Sequence, residues 1–257
     1  MSEIFERVVC GVDDSEAGHL AARLAARLTE PDGSLTLVAV EDTSIAVHAG
    51  WQMAAVSHQL AGEASAALAH GREVGEAEHP ITPRLLRGDP VNGLLAEIDR
   101  REASLIVVGT HEFGRGVGIA VRSVATHMLH EAPCSVLIAR APRNLEQWPR
   151  SIVVALDGSF ESAVATRVAR QLAERFGAKV RVVAASGDHV DLDMARRIAA
   201  KLEVLPGRPV DELTVLSEFA DLIVVGSRGL KGLRSLGSVS ERVAHQARCP
   251  VLVVRDA

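Results

Sequence analysis

Short apolar runs and Ala/Leu-rich stretches alternate along the whole chain. In the first part, apolar and often β-branched runs fall near 8–12, 35–40, 82–86, 105–109 and 135–139. They lack strict polar alternation, which is how strands covered on both faces of a parallel sheet read. Between the first two runs, Leu20, Leu24 and Leu28 recur every four residues with Ala17, Ala21 and Ala25 beside them. That spacing predicts a helix, with Gly33 at its close. Further on, Ala165, Ala169, Leu172 and Ala173 repeat the pattern, and Gly177 closes it. Strands alternating with helices in this way predict doubly wound α/β units, whose right-handed crossovers restrict the topology.

The chain is two copies of one unit. RVVCGVDDS at 7–15 matches RSIVVALDGS at 150–159, LIVVGT at 105–110 matches LIVVGS at 222–227, and APCSVLIA at 132–139 matches ARCPVLVV at 247–254. The matches fall in the same order, as a tandem repeat requires. Asp13 to Gly33 and Asp157 to Gly177 both span 20 residues, but Gly33 to Gly88 spans 55 where Gly177 to Gly207 spans 30. The second copy is therefore 25 residues shorter between its second and third strands. The first copy has an Ala-rich segment there, about 52–73, which predicts a long helix; the second has only about 192–202. The domains are read as 1–141 and 150–257. The linker 141–149 carries Pro142, Asn144 and Pro149, residues that punctuate a chain.

Composition narrows the function classes. The 257 residues carry 28 Lys+Arg against 33 Asp+Glu, a net charge of −5, and aromatics are 3% with no Tyr. Neither a basic footprint nor a set of stacking platforms is present, so nucleic acid is not an expected partner. No apolar run reaches the 18 residues that a membrane helix needs, and the N-terminus shows no apolar signal segment. A cytoplasmic protein is expected. Three scattered cysteines do not make a disulfide framework. Cys134 and Cys249 share one repeat position outside any CxxC and read as buried core thiols.

In an open parallel sheet, ligands bind beyond the carboxyl ends of the strands where the strand order reverses. Asp13 and Asp157 follow the first strand of each copy, and Gly109 and Gly226 close the fourth. If the first and fourth strands are neighbours, each Asp faces its glycine loop. The second loop runs Gly226-Ser-Arg228-Gly229-Leu-Lys231-Gly232-Leu-Arg234-Ser-Leu-Gly237-Ser238-Val239-Ser240-Glu241. Its glycines allow backbone N–H groups to approach an anion, its cations add charge, and a helix begins after Ser238. It is neither a Walker A loop nor G-x-G-x-x-G. Structural readings stand beside these. Ser238-x-x-Glu241 is a capping box in its own right. Asp13 and Asp157 suit helix caps or turns, Asp13 together with Asp14 and Ser15. His127 and His130, with Glu131, could begin a metal site, but no third ligand follows at diagnostic spacing, and a solvated helix face is the better reading.

The first-strand aspartates, LIVVGS at 222–227, GSVSE at 237–241 and ARCPVLVV at 247–254 resemble the universal stress protein family, and the whole chain resembles a tandem member. The resemblance implies two doubly wound five-stranded parallel sheets of order 3-2-1-4-5. It also implies ATP held through G-x2-G-x9-G-[ST] after the fourth strand, with Mg²⁺ as companion cation. In the second copy it carries over to Asp157, Gly226, Arg228, Gly229, Gly237, Ser238, Val239 and Ser240, although seven residues rather than nine separate Gly229 and Gly237. The first copy retains Asp13, Gly109 and Ser123, but Glu112 and Arg122 stand at its two inner glycine positions. A carboxylate there repels phosphates, so the first site is expected to be weakened or lost.

Three functions follow: an adenine-nucleotide-binding stress or regulatory protein, a scaffold acting through an unknown protein partner, or a slow ATP hydrolase. Motifs for a catalytic nucleophile or dedicated general base are missing, which counts against the third. The family often pairs its units through their last strands. Here residues 136–139 and 251–254 are expected to form such a pair inside one chain as a pseudo-dimer, with homodimerisation left open.

Overall fold

A computed structural model describes residues 4–42, 61–62, 64–69, 80–110, 124–185, 190–227 and 239–256. The chain divides into two units, Met1–Cys134 and Ser135–Ala257.

In the first unit β1 (Arg7–Gly11), β2 (Ser34–Asp42), β3 (Ile81–Gly88) and β4 (Leu105–Gly109) form a parallel sheet in the order β3-β2-β1-β4. Val8, Val9 and Cys10 are all buried, as are Leu105, Ile106 and Val107 beside them, because helices cover both faces. β3 is half-exposed along its length and contains Pro83, which an outer strand tolerates. The helices are α1 (Glu16–Leu28), α2 (Pro90–Arg101) and α3 (Val124–Glu131). α1 buries Ala21, Leu24, Ala25 and Leu28, the stripe expected from its spacing. It ends at Leu28 rather than reaching Gly33, which instead packs against the Glu6 carbonyl: a Cβ there would lie 2.7 Å away. Of the long helix expected over 52–73, residues 61–62 and 64–69 are helical and the rest lies outside the described residues.

In the second unit β6 (Ser151–Ala155), β7 (Lys179–Ala185), β8 (Leu202–Leu205), β9 (Leu222–Gly226) and β10 (Val251–Val254) run parallel in the order β8-β7-β6-β9-β10. That is 3-2-1-4-5 in repeat numbering. Their helices are α4 (Phe160–Phe176), α5 (Leu192–Ile198), α6 (Pro209–Leu216) and α7 (Val239–Gln246). α4 closes at Gly177, whose φ of 66° is the left-handed conformation that glycine adopts without strain. α5 stops at Ile198, short of the expected residue 202, because Ala199 turns extended and leads into β8.

The fifth strand of the first repeat, β5 (Ser135–Ala139), belongs to this second unit. It runs antiparallel to β10, with Val136 opposite Val253 and Ile138 opposite Val251. Ser135 Oγ fastens the pair by accepting from the Arg255 backbone N–H at 3.2 Å. Arg140 donates to the Ala244 and His245 carbonyls at the end of α7, satisfying groups that a helix C-terminus leaves unpaired. The segment 141–149 is tied to the same unit. Trp148 is 0% exposed, and its indole N–H donates to the Asp221 carbonyl at 2.7 Å. The Asp221 carboxylate accepts from the backbone N–H groups of Arg150 and Ser151 at 3.0 and 2.9 Å, fixing the start of β6.

One buried charge stands out in the first unit. Glu97 on α2 is 3% exposed, with Arg84, Arg100 and Arg101 around it. Burial pushes its carboxyl pKa up, but hydrogen bonds from Arg100 and Arg101 and the charges of Arg100 and Arg84 outweigh this and hold it below 4.5.

Two predictions follow from this packing. Trp148→Ala opens a void and leaves the Asp221 carbonyl unpaired, so urea unfolding should show the second unit destabilised by about 3–5 kcal/mol. A lowered folded-state pKa stabilises above the unfolded value and is lost as pH falls through the folded one. Glu97→Gln should therefore cost about 1–3 kcal/mol at pH 7, and the difference from wild type should close on acidification below 4.5. A gap independent of pH in paired urea titrations would contradict this assignment.

Candidate functional site

In both repeats the first strand pairs with the second on one side and the fourth on the other, so the sheet order reverses beside it. Cys10 lies opposite Val107, and Val154 opposite Val224. The aspartate after each first strand therefore shares an edge with the glycine closing the fourth, as the sequence required if those strands were neighbours.

The first turn of the following helix lies across this edge. A Cβ on Gly109 would sit 2.8 Å from the Ala17 backbone, and one on Gly226 would sit 2.6 Å from the Glu161 backbone. Ala17 and Glu161 each come four residues after the repeat aspartate. Each glycine thus allows a helix backbone to lie directly on a strand end. This packing accounts for both residues without any ligand.

The aspartates do not cap the helices. Ser15 and Ser159 are the N-caps, accepting from Gly18 N–H at 3.0 Å and Ser162 N–H at 3.3 Å. The aspartates hold those serines. Asp157 Oδ1 accepts from the Ser159 backbone N–H at 3.0 Å and from its hydroxyl at 2.5 Å. Asp13 Oδ1 accepts from the Ser15 backbone N–H at 3.2 Å and from its hydroxyl. The turn reading for Asp13 is therefore correct and the direct cap reading is not. The D-x-S spacing was visible in both repeats, and it carries this arrangement.

The two edges differ. Asp13 is exposed and Asp157 is half-buried. The repeat position after Asp157 is Gly158, with φ 86°, where the first copy has Asp14. A Cβ on Gly158 would lie 2.6 Å from the Asp191 carbonyl oxygen, and the Asp191 N–H donates to the Asp157 carbonyl at 2.9 Å. Asp191 is also the N-cap of α5, accepting from Met194 N–H at 2.9 Å. The shorter second crossover is clasped directly onto the Asp157 loop. Sequence reasoning missed this pair, because no repeat position announces Asp191. A further difference lies one turn along: buried Ser162 accepts from the Asp157 N–H at 3.3 Å, where the first copy has Gly18 packed against Asp13.

The remaining expected residues fall as follows. Val239 and Ser240 open α7, and Glu241 lies in its first turn. Arg228, Gly229, Gly237, Ser238 and Ser123 lie outside the described residues, as do the departures at Glu112 and Arg122. His127 and His130 are half-buried on α3, with Glu131 exposed beside them. Among the described residues, no group of three His, Cys, Asp or Glu side chains could hold a metal ion. None of the three cysteines is in a disulfide, and all three are buried. Burial pushes the Cys249 thiol up to about 12, against the opposing charge of Arg140. Burial and the Asp13 charge push Cys10 up as well. Such thiols stay protonated and inert at neutral pH.

A doubly wound sheet, an aspartate turn at its switch point and a second copy of the same plan define a tandem α/β protein. The chain belongs to the universal stress protein family, whose model matches residues 4–140 and 195–255. A universal stress protein of Mycobacterium tuberculosis H37Rv is 29% identical to it over 97% of this chain and 96% of its own length. Another from the same organism is 28% identical over 96% and 94%. The crystal structure of a universal stress protein from Archaeoglobus fulgidus superposes with a TM-score of 0.77 at 21% identity, covering 98% of this chain and 96% of that one, a likeness of fold. The matched segments leave out 141–194, where Asp157, Gly158 and Asp191 lie. Among the described residues, no helix is long and apolar enough to cross a membrane.

The close approach at the strand end supplies a test. Gly226→Ala and Gly109→Ala should each destabilise their own unit by about 1–3 kcal/mol, because backbone rather than a flexible side chain must move. Gly93→Ala is the control: its Cβ would meet Leu86 at 3.4 Å, within α2. It should be neutral or slightly stabilising in the same thermal melts.

Proposed function

We infer that this is a nucleotide-binding regulatory protein of its family, with ATP bound mainly in the second half at the carboxyl ends of β6 and β9. The observation that carries the reading is the half-buried carboxylate of Asp157 beside Gly226 at the switch point, with α4's first turn between them.

The chemistry of the described residues fits the nucleoside side of such a ligand. Asp157 is an acceptor already oriented by Ser159, suited to a ribose hydroxyl or an exocyclic amine. The donors suited to phosphate are the backbone groups and cations of 228–238 together with the start of α7. Mg²⁺ would accompany the nucleotide on its phosphates. The first half retains Asp13 and Gly109, but Glu112 places a carboxylate in its loop, so binding there is weak or lost. The sequence carries no motif for a dedicated base of hydrolysis, so turnover, where present, is expected to be slow.

Isothermal titration of ATP–Mg²⁺ into nucleotide-stripped protein tests this reading. Wild type should bind one equivalent. Gly229→Glu, which copies Glu112 into the second loop, should abolish binding, and Asp157→Ala should weaken it about tenfold or more, the loss of a charge-assisted hydrogen bond. Asp13→Ala should leave it unchanged. Stripped wild type that binds nothing would refute the nucleotide reading and leave the partner scaffold in its place.

A further inference from the structure

In the first unit, Glu97 draws three cations onto one carboxylate. Arg101 Nε donates to Oε1 at 3.1 Å, Arg100 Nε donates to Oε2 at 2.8 Å and its Nη2 to Oε1, and Arg84 Nε stands 3.7 Å from Oε1. One carboxylate balances one of three guanidinium charges, so the cluster keeps a positive surplus. Asp99 does not offset it. It is two residues from Glu97 on α2, about 200° round the helix. Among the described residues, neither Asp99 nor the C-cap Glu102 pairs with these arginines.

The donors of the cluster are not exhausted. A guanidinium carries five N–H groups in a planar fork. Among the described residues, Arg84 donates none of them, and its Nε is shut off from solvent without a hydrogen-bond partner. The side chains of Arg84, Arg100 and Arg101 are 42%, 48% and 30% exposed, against 3% for Glu97. The carboxylate therefore lies beneath, and the cations reach the surface.

The cluster sits apart from the switch point. α2 starts beyond the carboxyl end of β3 and runs back, so its last turn, with Arg100 and Arg101, comes to the amino end of the sheet. There Arg7, the first residue of β1, donates from Nε to the Glu102 carbonyl at 2.8 Å. The aspartate edge lies at the opposite end. Nor does the cluster belong to the repeat plan. Counting from Gly88 and Gly207, the second copy has Glu203, Leu216, Phe219 and Ala220 where the first has Arg84, Glu97, Arg100 and Arg101. The second copy builds the same fold without these charges, so packing alone does not call for them in the first.

We propose that Arg84, Arg100 and Arg101 form an oxyanion site on the first unit that takes a phosphate-class dianion, either free or as the phosphoryl group of a modified side chain on a partner protein. Such a group carries close to two negative charges at neutral pH, which matches the surplus. Its three terminal oxygens offer one acceptor to each fork, a geometry that guanidinium groups fit. Glu97 is the positioning residue. It holds Arg100 and Arg101 in place before the anion arrives, which lowers the ordering cost of binding.

Calorimetric titration of the full chain tests this. The parent is Gly229→Glu, which keeps the second-half loop from contributing a phosphate site of its own. The probes are inorganic phosphate, a phosphothreonine peptide and its unphosphorylated counterpart. Inorganic phosphate should bind the parent, and adding Arg84→Gln should weaken it about tenfold or more, the loss of a charge-assisted hydrogen bond. Arg84→Lys keeps the charge without the fork and should fall between the two. Arg23→Gln removes the same charge from exposed α1 surface and should change nothing. Because Arg84 donates no hydrogen bond among the described residues, thermal melts of its variants should match the parent. Phosphopeptide binding that exceeds that of the plain peptide and falls with Arg84→Gln places the phosphoryl group on a partner; phosphate binding without it places the anion free in solution. Both outcomes support the site. A parent that binds no phosphate overturns it, and so does phosphate affinity that Arg84→Gln leaves unchanged. Neither result touches the nucleotide reading, which concerns the other unit.

Discussion

The switch point of each repeat depends on the first turn of a helix lying backbone-to-backbone on the end of the fourth strand. Gly109 and Gly226 make that approach, and any Cβ there would overlap the Ala17 or Glu161 backbone. The approach fixes where the helix starts, which fixes the capping serine, which in turn orients the aspartate. A chain of short-range constraints thus delivers a carboxylate to the same edge in two copies that have otherwise diverged. The aspartate and glycine therefore serve the fold whether or not a ligand binds, and Asp13 holds Ser15 in the first copy as Asp157 holds Ser159 in the second.

The repeats have diverged at the elements that approach this edge from the side. The first copy connects its second and third strands through a long segment, and its aspartate is exposed. The second uses a short crossover whose α5 is pinned to the loop by Asp191, and its aspartate is half-buried. Gly158 is the adjustment that makes this possible, since a side chain there would meet the Asp191 carbonyl. A change in loop length has become a change in the depth of a carboxylate. Electrostatic interactions strengthen as water withdraws, so the two aspartates are no longer equivalent acceptors even though their local turns are the same.

Much of this was legible in the sequence. Fully apolar runs gave parallel strands, because a strand covered on both faces has no polar side to show. The repeat anchors located the missing 25 residues, and they fall where α5 replaces the longer segment. The first and fourth strands are neighbours in both repeats, as an aspartate facing its glycine loop requires. What stayed hidden depends on contacts between residues distant in sequence. Glycines look alike in a string, yet Gly33 packs on a carbonyl while its repeat partner Gly177 caps a helix. Asp191 belongs to no motif, and its effect on Gly158 exists only once β6 and β7 are paired. Trp148, in a stretch that composition marks as a linker, is fully buried, because Asp221 reaches it from more than 70 residues away.

The pairing of β5 with β10 bears on how the two copies have aged. In the second unit, the last strand of one repeat is completed by the last strand of the other, inside a single polypeptide. Subunits that meet through identical strands must keep both surfaces self-complementary, and every mutation appears on both sides at once. A covalent fusion removes that symmetry. Each strand then adapts to one fixed neighbour supplied at equal dose by the same gene. Drift in one copy's loop cannot be diluted or rescued by exchange with another chain, and it does not weaken assembly. Under those conditions the two halves are free to diverge from one another while the strand pairing between their repeats is kept.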